Sequence, residues 1–186
     1  MTPVWIALGA VAFVALLIVV SYNRFVRQRN LVEESWKQVD VELRRRYDLI
    51  PNLVETVKAY AAHERQVLEA VVNARNTALA PERSRSVQGE DETQLTRSLR
   101  GLLAVAEAYP QLKADQHFLA LQTELAETED RIAASRRFYN GNVRGYNTRI
   151  DAFPSSVIAG VFNFEKAEYF EIEEAAARAP RQVDFA

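Results

Sequence analysis

The sequence predicts an all-α protein: an antiparallel helical bundle of three to four helices that continues from an N-terminal transmembrane helix. Three observations carry that expectation. Residues Val4 to Val20 hold no charge. Apolar residues then recur at alternating steps of three and four over most of the chain, the spacing of one helical face. Only six glycines and six prolines interrupt 186 residues, while the strong helix formers Ala, Leu, Glu and Arg are abundant.

The apolar stretch VWIALGAVAFVALLIVV comes first. As a helix, 17 to 20 such residues reach about 26–30 Å, close to the hydrocarbon thickness of a bilayer. A cleaved signal peptide is the rival reading. It asks for a basic leading segment, which MTP does not supply. A retained anchor over 1–21 is therefore expected, in contact with lipid through residues 4–20. Arg24, Arg27 and Arg29 follow the span and nothing basic precedes it. By the positive-inside rule the N-terminus lies outside and the larger C-terminal part in the cytoplasm.

A helical bundle domain is expected over 22–153. Its first stripe runs Val32, Trp36, Val39, Leu43, Tyr47, Ile50, Val54, Val57 and Ala61, then more loosely through Leu68, Val71, Val72 and Leu79. Pro51 lies inside it, in RRRYDLIPNLV. Either Asp48 or Asn52 caps a new helix with Pro51 in its first turn, or one helix passes through with a bend and a freed Tyr47 carbonyl. The unbroken phase of Tyr47, Ile50 and Val54 favours the second. Tyr47, Ile50 and Val54 then face the core, while Arg44, Asp48 and Asn52 face solvent. The stretch APERSRSVQGEDE, Ala80 to Glu92, reads as an exposed loop by its Pro, Gly, Ser and charge content. A second stripe, Leu95 to Tyr109, ends at Pro110. A third starts near Asp115, a candidate N-cap, and runs to Phe153 before Pro154. The remainder, 154–186, is an aromatic segment and tail. Ser155 or Ser156 is a candidate cap for a short helix there, and its aromatic residues either plug the bundle or meet a membrane or partner.

Chemistry is harder to find. The absence of cysteine removes disulfides, thiolate metal sites and a cysteine nucleophile. No glycine-rich phosphate loop or nucleophile elbow occurs. His63 sits beside Glu64 but lacks a second histidine four residues on. It and His117 read as surface or capping residues. ELAETEDR, Glu124 to Arg131, lacks the Glu-x-x-His pairs of di-iron bundles and reads as a solvated acidic face. Arg44 to Arg46 and Arg136–Arg137 read as solvated helix faces. A net charge of −2 gives no global attraction to nucleic acid. One constellation is less ordinary. YNGNVRGYN repeats Tyr-Asn after seven residues, so Tyr139–Asn140 and Tyr146–Asn147 share a helix face. Interhelical packing with register-setting hydrogen bonds is the favoured reading, with Gly141 and Gly145 admitting a close helix. A ligand or partner site is the alternative.

With DLIPNLV, YPQLKA, LQTELAETEDRI and the paired Tyr-Asn in place, the chain resembles the LemA family of bacterial membrane proteins across nearly its whole length. The resemblance implies a single-pass protein of the bacterial inner membrane with a helical domain. It implies no established enzyme activity, cofactor, metal or catalytic residue, and a poorly defined molecular role. The expected function is a membrane-anchored scaffold or adaptor that binds an unknown protein or forms a homo-oligomer. The alternative is a membrane-organising or membrane-sensing protein. An enzyme built on His63, His117 and carboxylates ranks last.

Overall fold

The computed structural model describes residues 2–81 and 84–172. They form six helices and no strand among the described residues: α1 (Thr2–Tyr60), α2 (Arg65–Ala78), α3 (Arg85–Glu107), α4 (Pro110–Lys113), α5 (Gln116–Asp151) and α6 (Ser155–Val161). The fold is all-α and bundle-like, as the helical stripes predict. The described residues group into two compact units, one of residues 2–39 with 135–168, the other of residues 40–81 and 84–134 with 169–172.

In the second unit, α1 runs uninterrupted through Pro51. The ring at position 51 cannot donate to the carbonyl four residues earlier. That carbonyl belongs to Tyr47, and it accepts a 2.7 Å hydrogen bond from Arg75 Nε on α2. The Tyr47 hydroxyl also approaches the Ala78 carbonyl, at 3.4 Å. The expected exposed residues Arg44, Asp48 and Asn52 are exposed, and Tyr47 and Ile50 are buried. Val54 is only half-buried, and Leu53 takes the core position instead.

This bond makes a clean experiment. Arg75→Met is expected to destabilise the protein by about 1–3 kcal/mol, the cost of a buried carbonyl left unpaired. Adding Pro51→Ala restores a backbone donor and should remove most of that cost. Urea unfolding of the two single variants and the double variant measures the coupling. An equal cost in both backgrounds would show that Arg75 does not serve the proline.

The first helix does not continue to Leu79. It stops at Tyr60, and residues 61–64 turn the chain, with the Glu64 amide bonded to the Ala61 carbonyl. Nothing in AAHE breaks a helix locally. The reversal comes from pairing: the α2 stripe Leu68, Val71, Ala74 and Ala78 is buried, and α2 meets α1 at Tyr47 as an antiparallel hairpin with a short loop. Tertiary burial outweighs helix propensity here. This turn, the four-residue α4 and the short α6 raise the helix number above three to four.

The expected loop over Ala80–Glu92 is also corrected. Helix α3 begins at Arg85, where the Val87 amide donates to the Ser84 side chain as an N-cap. Gly89 and Glu92, read as loop signals, are buried in its first turns. Pro110 ends the second stripe as predicted, and then opens α4 at its first position. Asp115 caps α5: its Oδ1 accepts the Phe118 amide at 3.0 Å. That bond, with one from Tyr60, holds its carboxyl below the usual range. Helix α5 runs antiparallel to α1. Moving back along α1 from Tyr60 to Arg46 moves forward along α5 from Asp115 to Glu129.

In the first unit the same antiparallel relation holds. Trp36 packs edge-on to Tyr139 at 5.3 Å, and Phe25 to Tyr146 at 6.3 Å. Neither expected serine caps α6 with its side chain. The Ser155 hydroxyl instead turns back to the Arg149 and Ala152 carbonyls, both at 2.8 Å, and its one proton is shared between them, closing the end of α5. The chain leaves α6 through Asn163 in the left-handed region, φ 53°, which asparagine tolerates better than most residues. The Phe164 amide then reaches the Ala159 carbonyl at 2.9 Å, the long bond of a Schellman ending.

Candidate functional site

Three features carry the strongest physical constraints. The first is the start of α1. One 18-residue window near the N-terminus is long and apolar enough to cross a membrane, and none of it is buried by the rest of the protein. A core helix would be covered; this one presents Trp5, Ile6, Leu8, Val11, Phe13 and their neighbours outward.

The second feature, within the first unit, is the Tyr-Asn repeat. Tyr139 and Tyr146 are buried against α1, as interhelical packing predicts. The polar groups do something the sequence did not indicate. Asn147 makes a two-way bridge with the backbone of Ala167: Nδ2 donates to its carbonyl and Oδ1 accepts from its amide, both at 2.9 Å. The Tyr139 hydroxyl donates to the Glu168 carbonyl at 2.7 Å. The repeat therefore holds an extended segment that follows α6. Side chains on α5 thus satisfy the backbone groups of Ala167 and the carbonyl of Glu168, as a neighbouring strand would. The two glycines do not admit a close helix. Gly141 faces open space, and Gly145 meets only the end of the Gln28 side chain at 4.0 Å.

Asn147→Ala is expected to cost about 1–3 kcal/mol, because both Ala167 groups lose their partner. Hydrogen exchange at the Ala167 amide should accelerate far more than exchange in the middle of α5. Unchanged exchange at Ala167 would show that the bridge does not hold the segment.

The third feature, in the second unit, is a buried charge cluster. Arg46 is 0 % exposed, as is Glu92. Arg46 pairs with Glu92 through Nη2 and with Glu129 through Nη1 at 2.7 Å, and Nη1 also reaches Thr96 Oγ1 at 3.3 Å. The Tyr47 hydroxyl donates to the other oxygen of Glu92. Burial lowers the Arg46 pKa, but Glu92 and Glu129 more than compensate, so it ends above its ordinary value. Burial raises the Glu92 carboxyl above the usual range, with Arg46 and Tyr47 opposing. The Tyr47 hydroxyl is pushed up by burial and by Glu92. Reading Arg44 to Arg46 as a solvated face holds for Arg44 and fails for Arg46. Likewise Glu129, from the acidic stretch Glu124 to Arg131, turns inward to Arg46.

The remaining candidates stay apart from these features. His63 is exposed on the turn after α1, and His117 is exposed in the first turn of α5. His117 lines an open groove with Tyr60, Asp115 and Glu124. Among the described residues, no three His, Asp or Glu side chains are grouped closely enough to hold a metal ion.

Comparison with known proteins decides the family. Residues 35–185 match the LemA family. This chain belongs to the LemA family. The resemblance carried by DLIPNLV, YPQLKA and the Tyr-Asn repeat is thereby established. Similar proteins include Magnetosome protein MamQ 2 of Paramagnetospirillum magneticum, 27% identical over 198 residues that span 93% of this chain and 72% of the relative. Magnetosome protein MamQ of Magnetospirillum gryphiswaldense is 24% identical over the same shares. Protein LemA of Metamycoplasma hominis is 24% identical over 153 residues, 82% of this chain and 69% of that one. None of these names is that of an enzyme. In this LemA-family chain, the matched region begins at Ser35 and includes the buried charge cluster and the Tyr-Asn repeat.

Proposed function

We propose that this LemA-family protein is a membrane-anchored helical scaffold or adaptor, not an enzyme, that acts through protein–protein contacts including self-association. The observation that carries the reading is the uncovered apolar start of α1, which continues without a break into packed helix. Residues 1–21 serve as the anchor in the inner membrane, 22–153 as the helical domain and 154–186 as its C-terminal segment. Arg24, Arg27 and Arg29 hold the N-terminus outside and the domain in the cytoplasm. An anchor confines the domain to a surface and so raises its effective concentration toward neighbours in the same membrane. The similarity to proteins named for the magnetosome supports a role at a membrane.

Chemical crosslinking in native membranes, followed by mass spectrometry, tests the reading. A specific crosslinked partner or homo-oligomer is the expected product. Monomer alone at native abundance would refute it. A reporter fused to the C-terminus is expected to be active on the cytoplasmic side only.

A further inference from the structure

The short helix α6 leaves an apolar face uncovered. Phe153 is 84% exposed, Val157 56% and Val161 68%. Val157 and Val161 stand four apart on α6 and so lie along one side, and Phe153 lies in the turn that leads into the helix. Such a face on a seven-residue helix needs an explanation, because the opposite side is well used: Ala159 is buried, and Phe164 stacks on Phe25 at 4.7 Å.

The position of α6 within the first unit identifies what covers it. Phe162, directly after the helix, packs on the ring of Tyr22 at 4.9 Å. Tyr22 follows Val20, the last residue of the apolar stretch, by two positions. The residue on α1 that meets the end of α6 is therefore about 3 Å along the axis from the end of that stretch. Tyrosine and tryptophan favour the boundary between hydrocarbon and headgroups. Trp5 marks the other end, about 26 Å away at 1.5 Å per residue.

The charges at this level agree. Arg24 is exposed on the turn of α1 that follows Tyr22. Arg149 lies over the Phe25 ring at 6.0 Å, and its Nε has no hydrogen-bond partner. Burial and the neighbouring Arg24 both push the Arg149 guanidinium below its ordinary value. Asp151, the nearest carboxylate along α5, is engaged by Lys166 at 2.8 Å. An anion between Arg24 and Arg149 would relieve their repulsion.

We propose that α6 is a second membrane contact, with Phe153, Val157 and Val161 immersed at the headgroup boundary of the bilayer that α1 crosses and with Arg24 and Arg149 facing lipid phosphates. This rests on the reading of α1 as an anchor. The occupant is the lipid surface, because the apolar face is continuous through Phe162 and Tyr22 with the apolar span. An interfacial helix of this kind enters about 5–10 Å into the boundary. It would fix the angle at which the first unit stands on the membrane.

The chain contains no cysteine, so single labels can be placed at will. Full-length Phe153→Cys, Val157→Cys and Val161→Cys variants, each carrying an environment-sensitive fluorophore, are reconstituted into vesicles of zwitterionic and anionic phospholipid. Leu8→Cys reports on the anchor, and Arg137→Cys, exposed on α5 in the same unit, reports on water. The three α6 labels should emit at shorter wavelength than the Arg137→Cys label. They should also lose most of their emission to a quencher carried near the lipid headgroups, and little to one at the bilayer centre. Water-like emission at all three, with the Leu8→Cys label deep, would overturn the α6 contact and leave the anchor standing. Water-like emission at Leu8→Cys as well would overturn both. Blue-shifted α6 labels that ignore lipid quenchers but broaden in spin-label spectra would assign the face to a second copy of the chain and overturn the lipid contact.

Discussion

Replacing Arg46 with methionine is expected to lower the unfolding free energy by about 3–5 kcal/mol, the usual cost of breaking a buried ion pair on one side. The guanidinium is fully buried and holds Glu92 and Glu129, which come from α3 and α5. Methionine fills much of the volume, so the loss is electrostatic more than steric. What remains is Glu92, fully buried, with the Tyr47 hydroxyl as its remaining strong donor. Removing the charge at both ends should recover most of the loss, because an apolar replacement of a whole buried pair is often neutral. The combination of Arg46→Met with Glu92→Leu tests this by urea unfolding of the full-length protein. If Arg46→Met alone changes stability by less than the double variant, the cluster is not the stabilising link inferred from its geometry.

The same cluster sets a pH dependence with a definite sign. Burial holds the Glu92 carboxyl above its ordinary value in the folded protein. The folded state therefore binds that proton more tightly than the unfolded chain does. Stability from this group is present at low pH. It is lost as pH rises from the ordinary glutamate value, about 4.3, through the raised folded value. Glu92→Gln should flatten this part of the profile. Arg46→Met should steepen it, because the opposing cation is gone. Asp115 contributes the opposite slope: its depressed carboxyl favours folding above its unfolded pKa and loses that contribution as pH falls through the folded value.

Gly89→Ala is the second large effect, and its sign is diagnostic. In an ordinary helix interior alanine stabilises by about 1 kcal/mol relative to glycine. Here a Cβ would overlap the carbonyl oxygen of Glu171 and come within 3.1 Å of its carbonyl carbon. The obstacle is backbone, so no rotamer change relieves it. The extended segment must lift from α3, and Phe170, 0 % exposed, goes with it. Exposing that ring costs roughly 1.5–3 kcal/mol. Destabilisation by about 2 kcal/mol or more is expected, the lost burial outweighing the gain in helix propensity. Limited proteolysis should then cut near Phe170 under conditions that spare the native protein. A more stable Gly89→Ala variant would mean that the segment does not pack there.

Much of this protein is legible from local pattern. The apolar span, the antiparallel long helices, the Asp115 cap and the stop at Pro110 follow from rules that act within a few residues. The continuity of α1 through Pro51 also follows, because the stripe keeps its phase on both sides. The errors share a cause. Glycine, glutamate and arginine usually prefer solvent or loops. Gly89, Glu92 and Arg46 instead meet partners far along the chain: Glu171 for the glycine, and one another for the charges. The spacing of Arg46 from Tyr47, Ile50 and Leu53 places it on the edge of the apolar face, which is the one local sign of its burial.

The sequence by itself determined the helices, the membrane-length apolar segment and the family, because hydrophobic periodicity, span length and motif order are properties of neighbouring residues. The tertiary structure alone decided that Tyr60 ends α1, that Arg75 serves the Tyr47 carbonyl freed by Pro51, and that the Tyr-Asn repeat holds an extended segment. The last two depend on hydrogen-bond groups between 20 and 29 residues apart being brought within 3 Å. A backbone group left without a local partner has to find one elsewhere, and only the folded chain shows where.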